Sequence, residues 1–129
     1  MAIVEFETYK SELEGLKAPI EELRGSLDLE FKKDRITELE RQMEEPDFWD
    51  DAQKSTKIVK ELKSLKDAVE TYHSLVSQYE DIETLIEMGS EEDDEELAEE
   101  TGEALKKLRT DIETERTAQL LSGEYDANN

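Results

Sequence analysis

The chain has 129 residues, 16 of them basic and 37 acidic, and its formal net charge at pH 7 is −21. It contains no cysteine and one histidine, His73, which excludes disulfides, thiol nucleophiles, thiolate metal sites and multi-histidine zinc sites. With 5 glycines and 2 prolines, a turn-rich β-sandwich or a glycine-rich phosphate loop is not expected. No apolar run approaches the roughly 18 residues of a membrane span, and we expect no signal peptide.

The first predicted helix covers residues 3–24, where apolar residues recur at steps of three and four and so share one helical face. Pro19 lies inside this pattern and lacks a backbone donor, so we expect a kink near Ala18. Gly25 is predicted to end the helix. The apolar face consists of Phe6, Tyr9, Leu13, Leu16, Ile20 and Leu23.

A second helix is predicted at residues 28–45, with Asp28 as its N-cap. Pro46 ends this helix, because the residue before a proline is disfavoured in the α region. Its shorter apolar face has the same three-and-four spacing, which predicts packing against another helix. The face consists of Ile36, Leu39 and Met43.

The turn at residues 46–50 contains two adjacent aromatic residues, Phe48 and Trp49. We interpret them as a hydrophobic cap that closes one end of the bundle. Exposed aromatic side chains at this place would instead indicate a binding hot spot. Asp50 and Gln53 have the spacing of a capping box for the helix that follows.

The longest predicted helix covers residues 51–88 and would be roughly 57 Å long, so it needs partners along its length. We expect Gly89 to end it. Ser90 and Asp93 then fit the capping box of a last helix at residues 93–121. Beyond Tyr79 the phase of the apolar face is ambiguous. The face consists of Ile58, Leu62, Leu65, Val69, Tyr72, Val76 and Tyr79, continued by Ile82 or Ile86 with Leu85 beside them.

The last helix has a weaker pattern, because Gly102 costs about 1 kcal/mol relative to alanine. Residues 122–129 have turn chemistry without helical periodicity. We therefore expect a helical domain at residues 1–121 and a linker from residue 122 onwards. The apolar residues of the last helix are Leu97, Ala104, Leu105, Leu108, Ile112 and Leu120.

Since no segment alternates as a strand does, we predict an all-α fold. Its architecture is an elongated antiparallel helical bundle, or coiled-coil hairpin, of about four helices. The last two predicted helices form the hairpin on which this bundle is built. The first two helices are expected to lie along it.

The charge is unevenly distributed along the chain. No lysine or arginine occurs from Asp67 to Leu105, whereas residues 53–66 contain five lysines with Glu61 alone opposing them. The lysines either contact a partner or neutralise nearby acid, and the low value of surface charges favours neutralisation. Acidic residues 91–96 suit either a docking tip or the start of a helix. A chain this acidic is repelled by nucleic acid, so a basic protein is the expected partner.

The sequence contains no arrangement typical of catalysis. Its carboxylates are abundant but lack an apolar cleft that would shift a pKa, and its serines lack a nucleophile-elbow context. We interpret His73 as a residue on the flank of a helix rather than as a base or ligand. We therefore predict no enzymatic activity, no catalytic residue, no cofactor and no metal site.

Four stretches, in order, resemble the opening segment of bacterial class I peptide chain release factors of the release factor 2 type. The most specific are LRGSLDLE at residues 23–30 and LLSGEYD at 120–126, which Asn128 and Asn129 follow. Between them lie the charged helix at 35–43 and the turn EPDFW at 45–49. The resemblance covers roughly residues 20–129 and is less clear before them.

The resemblance implies a cytoplasmic module of translation termination at UGA and UAA. Neither the decoding tripeptide Ser-Pro-Phe nor the hydrolytic motif Gly-Gly-Gln occurs in the 129 residues. The implied module is thus an N-terminal domain that docks on the ribosome, at the stalk base and GTPase-associated centre of the large subunit. The class II release-factor GTPase is a further implied partner, with no membrane and little direct nucleic-acid contact. The candidate partner-binding residues are Arg24, Asp47, Phe48 and Trp49.

Two other functions agree with the composition. The first is a stand-alone acidic coiled-coil adaptor or chaperone-like protein, and the second is an acidic mimic of nucleic acid that occupies basic sites. A reading frame that continues beyond Asn129 to Gly-Gly-Gln would favour the release factor over both.

Overall fold

The computed structural model describes the backbone of residues 2–127 and the side chains of residues 2–121. The helices in this part are α1 (Ala2–Ser26), α2 (Leu29–Met43), α3 (Ala52–Glu92) and α4 (Glu95–Ala127). A short 3-10 helix, Phe48–Asp50, lies between α2 and α3. The described residues contain no strand, so the prediction of an all-α bundle with about four helices is confirmed.

Three helices form the larger packed unit, which we call the body. It consists of α1, residues 67–92 of α3, and α4. Phe6 of α1 lies against Gly89, and Tyr9 lies against Gly102, so α1 runs antiparallel to α3 and parallel to α4. The buried core of the body includes Phe6, Leu13, Ile20, Leu23, Tyr72, Leu75, Ile82, Ile86, Ala98, Leu105, Leu108 and Ile112.

The remaining segment forms a smaller unit, which we call the arm. It consists of α2, the connection at residues 44–51, and residues 52–66 of α3. Arg35 Nε donates to Glu61 Oε2 at 2.9 Å across the two helices. The arm has its own core, formed by Leu39, Phe48, Ile58 and Leu62, with Ile36, Met43 and Leu65 packed against it. One continuous helix, α3, therefore contributes to both cores.

The junction of α1 and α2 differs from the sequence prediction. Gly25 does not end α1, which continues to Ser26, and the chain turns at Asp28, whose φ is 52°. Asp28 directly precedes α2, but its side chain makes no capping hydrogen bond. The left-handed turn buries both Leu27 and Leu29 in the body core. Asp is among the few residue types that adopt this conformation with little penalty.

The cap of α3 lies one residue later than predicted. The carboxylate of Asp51, not that of Asp50, accepts from the backbone N–H of Lys54 at 3.1 Å. Asp50 belongs to the 3-10 helix, and the extended backbone that an N-cap requires first occurs at Asp51.

The cap of α4 is also displaced. Asp94, rather than Ser90 or Asp93, accepts from the backbone N–H of Leu97 at 3.1 Å. The Ser90 hydroxyl lies within α3 and donates to the Ile86 carbonyl at 2.7 Å. The prediction failed because α3 continues for three residues beyond Gly89, to Glu92.

Gly89 does not end α3 but allows α1 to approach it closely. A Cβ atom at this position would overlap the ring of Phe6, which is fully buried. Gly102 has a similar role, since a Cβ there would lie 2.7 Å from the Tyr9 hydroxyl. Both glycines therefore lower the helix propensity of their helices, but they allow α3 and α4 each to pack closely against an aromatic side chain of α1.

α1 is one continuous helix through Pro19, and the kink expected near Ala18 stays a prediction. α4 extends beyond its predicted end at residue 121, to Ala127. The expected boundary between a domain and a linker at residue 122 stays a prediction, and residues 128–129 lie outside the described part. No helix of the described part combines the length and apolar character that crossing a bilayer requires.

Replacing Gly89 with alanine should destabilise the protein although alanine is the better helix former. The added methyl group must displace the ring of Phe6, and such overpacking costs typically 1–3 kcal/mol. Gly15→Ala is the matched control, because nothing lies within 4 Å of its Cβ position. It should stabilise α1 by about 0.5–1 kcal/mol. Urea unfolding followed by circular dichroism measures both, and equal stabilisation by the two variants would contradict the packing.

Candidate interaction surface

The connection between α2 and α3, residues 44–51, forms the end of the arm, and we call it the tip. Its two aromatic residues have different environments, since Phe48 is 7% exposed and Trp49 is 59% exposed. Their rings meet edge to face, with centroids 4.7 Å apart and planes at 87°. The interpretation of both residues as a cap is therefore correct for Phe48 and wrong for Trp49.

The 3-10 geometry of the tip explains this division. Successive residues of a 3-10 helix are about 120° apart, so neighbours cannot both face the core. Phe48 faces the arm core with Leu39, Ile58 and Leu62. The turn is fixed by backbone hydrogen bonds, from Phe48 N–H to the Glu45 carbonyl and from Asp50 N–H to the Asp47 carbonyl, each at 3.1 Å. Trp49 is thereby held outward on an ordered backbone.

Arg41 ties the last turn of α2 to the tip. Its guanidinium donates to Glu38 Oε1 at 2.9 Å and to Glu45 Oε1 at 3.1 Å. The hydrogen bonds from Arg41, together with one from Gln42, lower the pKa of Glu38 to about 2. These charges are three and four residues apart in the sequence, a spacing that indicates such pairs on a helix, but they are not among the predicted site residues.

The tip is strongly acidic. Residues 44–51 contain five carboxylates and no basic residue. Asp51 caps α3 and Glu45 accepts from Arg41, which leaves three exposed carboxylates of the tip outside these two contacts. An open groove of about 610 Å³ lies beside Phe48, between Arg41 of α2 and Lys54 of α3. We call these three exposed carboxylates, Glu44, Asp47 and Asp50, the rim carboxylates.

Arg24 lies apart from the other predicted site residues. It sits in the last turn of α1 and donates to Glu30 Oε1 at 3.3 Å, with both side chains largely exposed. Burial raises the pKa of Tyr72 of α3, and the nearby charge of Arg24 opposes this rise, so Arg24 lies close to Tyr72. Twenty residues separate Tyr72 from Ala52 at the tip end of α3, which corresponds to about 30 Å. The structure therefore brings Asp47, Phe48 and Trp49 together but not Arg24.

The net charge of the arm differs strongly from that of the rest of the chain. Residues 29–66 contain nine basic and ten acidic residues, a net charge of −1, so the remainder carries −20. Lys66 pairs with Glu40 at 2.9 Å, and Lys63 pairs with Asp67 at 3.0 Å. These pairs favour the interpretation of the lysine cluster as neutralising. At the acidic turn, Asp94 acts as the cap of α4.

The described residues also show where His73 and the acidic side chains lie. No group of three or more His, Asp or Glu residues among them could hold a metal ion. His73 is exposed on α3, in agreement with its interpretation as a flank residue. The tip therefore presents an exposed aromatic ring among acidic residues at the end of a two-helix arm.

A PCRF domain family model matches residues 32–129, which include all but the first three residues of the arm, the tip and most of the body. The chain therefore belongs to the PCRF domain family. It is 40% identical over 126 residues to peptide chain release factor 2 of Exiguobacterium sp., an alignment that covers 98% of this chain and 34% of that protein.

Other relatives agree in name and extent. Peptide chain release factor 2 of Clostridium perfringens (strain SM101) is 40% identical over 127 residues, covering 98% of this chain and 35% of that protein. The protein of the same name from Staphylococcus saprophyticus is 34% identical over 126 residues, with coverages of 98% and 34%. The chain spans about a third of the length of these curated relatives, and the resemblance inferred from the motifs is confirmed.

Replacing each tip aromatic with alanine should separate the structural residue from the exposed one. Phe48→Ala removes a buried ring from the small arm core and should cost about 3–5 kcal/mol. Trp49→Ala removes an exposed ring and should change stability by no more than about 0.5 kcal/mol. Native-state hydrogen exchange of α2 amides measures both effects. Similar losses of protection in the two variants would show that Trp49 is part of the core.

Acid should weaken the tip through Glu38. Its folded pKa of about 2 lies below the ordinary glutamate value of about 4.3. The ionised form therefore stabilises the fold above about pH 4.3, and this contribution is lost as the pH falls through about 2. Carboxyl NMR should show the pKa of Glu38 near 2 in the wild type and clearly higher in Arg41→Met, where the hydrogen bond from Gln42 remains. An ordinary value in the wild type would contradict the Arg41 contact.

Proposed function

We propose that this chain is the N-terminal helical domain of a bacterial peptide chain release factor of the release factor 2 type. In this proposal it acts in the cytoplasm, in translation termination at UGA and UAA, as part of a longer protein. One observation carries the proposal: the PCRF match over residues 32–129, together with 34–40% identity to proteins named peptide chain release factor 2.

The proposed role is positioning rather than catalysis. Neither Ser-Pro-Phe nor Gly-Gly-Gln occurs in the sequence. The carboxyl groups with a displaced pKa support this role. Arg41 lowers the pKa of Glu38, Arg35 that of Glu61, and Lys107 that of Asp111. Lowered values suit carboxylates in ion pairs, whereas a general acid at neutral pH needs a raised value.

The proposed partner is the ribosome, at the stalk base and GTPase-associated centre of the large subunit. The class II release-factor GTPase is proposed as a second partner. The net charge of −21 and the five carboxylates among residues 44–51 support contact with a basic protein and little direct contact with nucleic acid. Arg24, Asp47, Phe48 and Trp49 are the proposed contact residues, and the exposure of Trp49 supports its inclusion.

The domain on its own should bind ribosomes weakly. Surface charges and one aromatic residue provide little affinity, but tethering to ribosome-bound domains makes the contact intramolecular and raises its effective concentration. We expect the isolated chain to bind bacterial ribosomes with a Kd in the micromolar range or weaker. The corresponding binding free energy is no more favourable than about −8 kcal/mol. Because the partner is basic, added salt should weaken this binding.

Ribosome binding at two salt concentrations and a peptide-release assay test the proposal together. The isolated chain should bind weakly and salt-dependently, without releasing peptide from ribosomes stopped at UGA. A protein that continues from this chain to a Gly-Gly-Gln motif should release peptide at UGA and UAA but not at UAG. Failure of that longer protein at UGA would overturn the release-factor assignment. Tight, salt-insensitive binding of the isolated chain would overturn the tethered-positioning role.

A further inference from the structure

Trp49 has the properties of an anchor for a partner. Tryptophan side chains are among the commonest binding hot spots, because one ring buries a large area at a low cost in side-chain entropy. Trp49 is the only tryptophan of the chain and is 59% exposed. Nothing in the stability of the arm requires an aromatic ring at this exposed position, since Phe48 fills the core beneath it.

The surroundings of Trp49 hold its ring ready for contact. The edge of one ring meets the face of the other in the Phe48–Trp49 pair. Backbone hydrogen bonds fix the turn on both sides of the pair, and Arg41 holds Glu45 against α2. A side chain that is ordered before binding loses little freedom on binding, so more of its buried area contributes to affinity.

The charge around Trp49 indicates the chemistry of its partner. The three rim carboxylates are exposed, and Asp47 and Asp50 are the chain neighbours of the aromatic pair, while residues 44–51 contain no basic side chain. RNA phosphates would be repelled by this rim, although its bases could stack on an indole ring. A protein surface with an apolar pocket bordered by lysine or arginine fits both the ring and the rim.

Phe31 shows that exposure alone does not define such a surface. It is 60% exposed on α2 of the same arm. Among the described side chains it makes no ring contact comparable with that of Trp49. Its sequence neighbours carry both signs of charge, with Glu30 before it and Lys32 after it. Phe31 therefore serves as a matched control for an exposed aromatic residue without the support and rim of the tip.

We propose that the tip docks into an apolar pocket on a basic protein, with Trp49 as the anchor and the rim carboxylates paired with lysine or arginine of the partner. The proposal rests on the proposed function only in placing that protein on the ribosome. The arm is suited to this task, because α2 alone, with 15 residues, carries the tip about 22 Å from the body end of α2. The acidic body is thus kept away from the contact.

Binding of labelled chains to intact bacterial ribosomes tests the anchor. Since the chain has no cysteine, Ser77→Cys provides a single exposed position for a fluorophore on the body. Fluorescence anisotropy should show that Trp49→Ala weakens binding by about tenfold or more, and Phe31→Ala by no more than about twofold. Asp50→Asn should weaken binding a few-fold and reduce its dependence on salt. Circular dichroism checks that each variant is folded.

Cross-linking identifies the class of partner. A photo-cross-linker on Asp50→Cys, at the rim, should form an adduct with a ribosomal protein. The same reagent on Lys60→Cys, elsewhere on the arm, should not form this adduct. An adduct with ribosomal RNA from the rim position, and none with protein, would overturn the proposed partner chemistry.

The outcomes separate this inference from the proposed function. If the wild-type chain binds ribosomes and Trp49→Ala binds equally well, the anchor is overturned while the release-factor assignment stands. Equal losses of ribosome affinity in Trp49→Ala and Phe31→Ala would also overturn the anchor, because the tip would then be one of several surfaces that bind nonspecifically. If the wild-type chain does not bind, the docking proposal fails, and the peptide-release assay decides separately on the function.

Discussion

The structure depends on the apolar face of α3, which is too long to be covered by any one neighbouring helix. α1 and α4 cover its C-terminal part, α2 covers its N-terminal part, and two separate cores result. The division into body and arm follows from this constraint. Burial on α3 must also outweigh the mutual repulsion within a chain of net charge −21, and leucine and isoleucine at three-and-four spacing provide that burial.

Close packing on α3 determines details that appear unfavourable in isolation. Gly89 stays inside a helix because the ring of Phe6 occupies the space of its side chain. Asp28 adopts a left-handed conformation because the chain must turn while Leu27 and Leu29 both reach the core. At the other end of the molecule, burying Phe48 in the arm core leaves Trp49 outside. The exposed ring on which the docking proposal rests is thus a consequence of how the arm closes its core.

The sequence was sufficient to predict the helices and most of their buried residues, because three-and-four spacing reports burial directly. It failed where the outcome depends on tertiary contacts. Glycine normally signals a helix end, so Gly89 was misread without knowledge of Phe6. The narrow stripe predicted for α3 omitted Leu75, which is buried because α3 packs against two helices there and not one. At the tip, the sequence located the aromatic pair, but only the backbone geometry determined which ring faces solvent.

The continuity of α3 can be measured directly with two spin labels. Lys54→Cys and Glu91→Cys place single cysteines near its ends in a chain that otherwise has none. An unbroken helix separates these residues by 37 positions, or about 55 Å. Double electron–electron resonance should give a narrow distance distribution centred near that value. A markedly shorter or broad distribution would show that α3 bends or breaks between the cores, and would contradict the account of one helix supporting both.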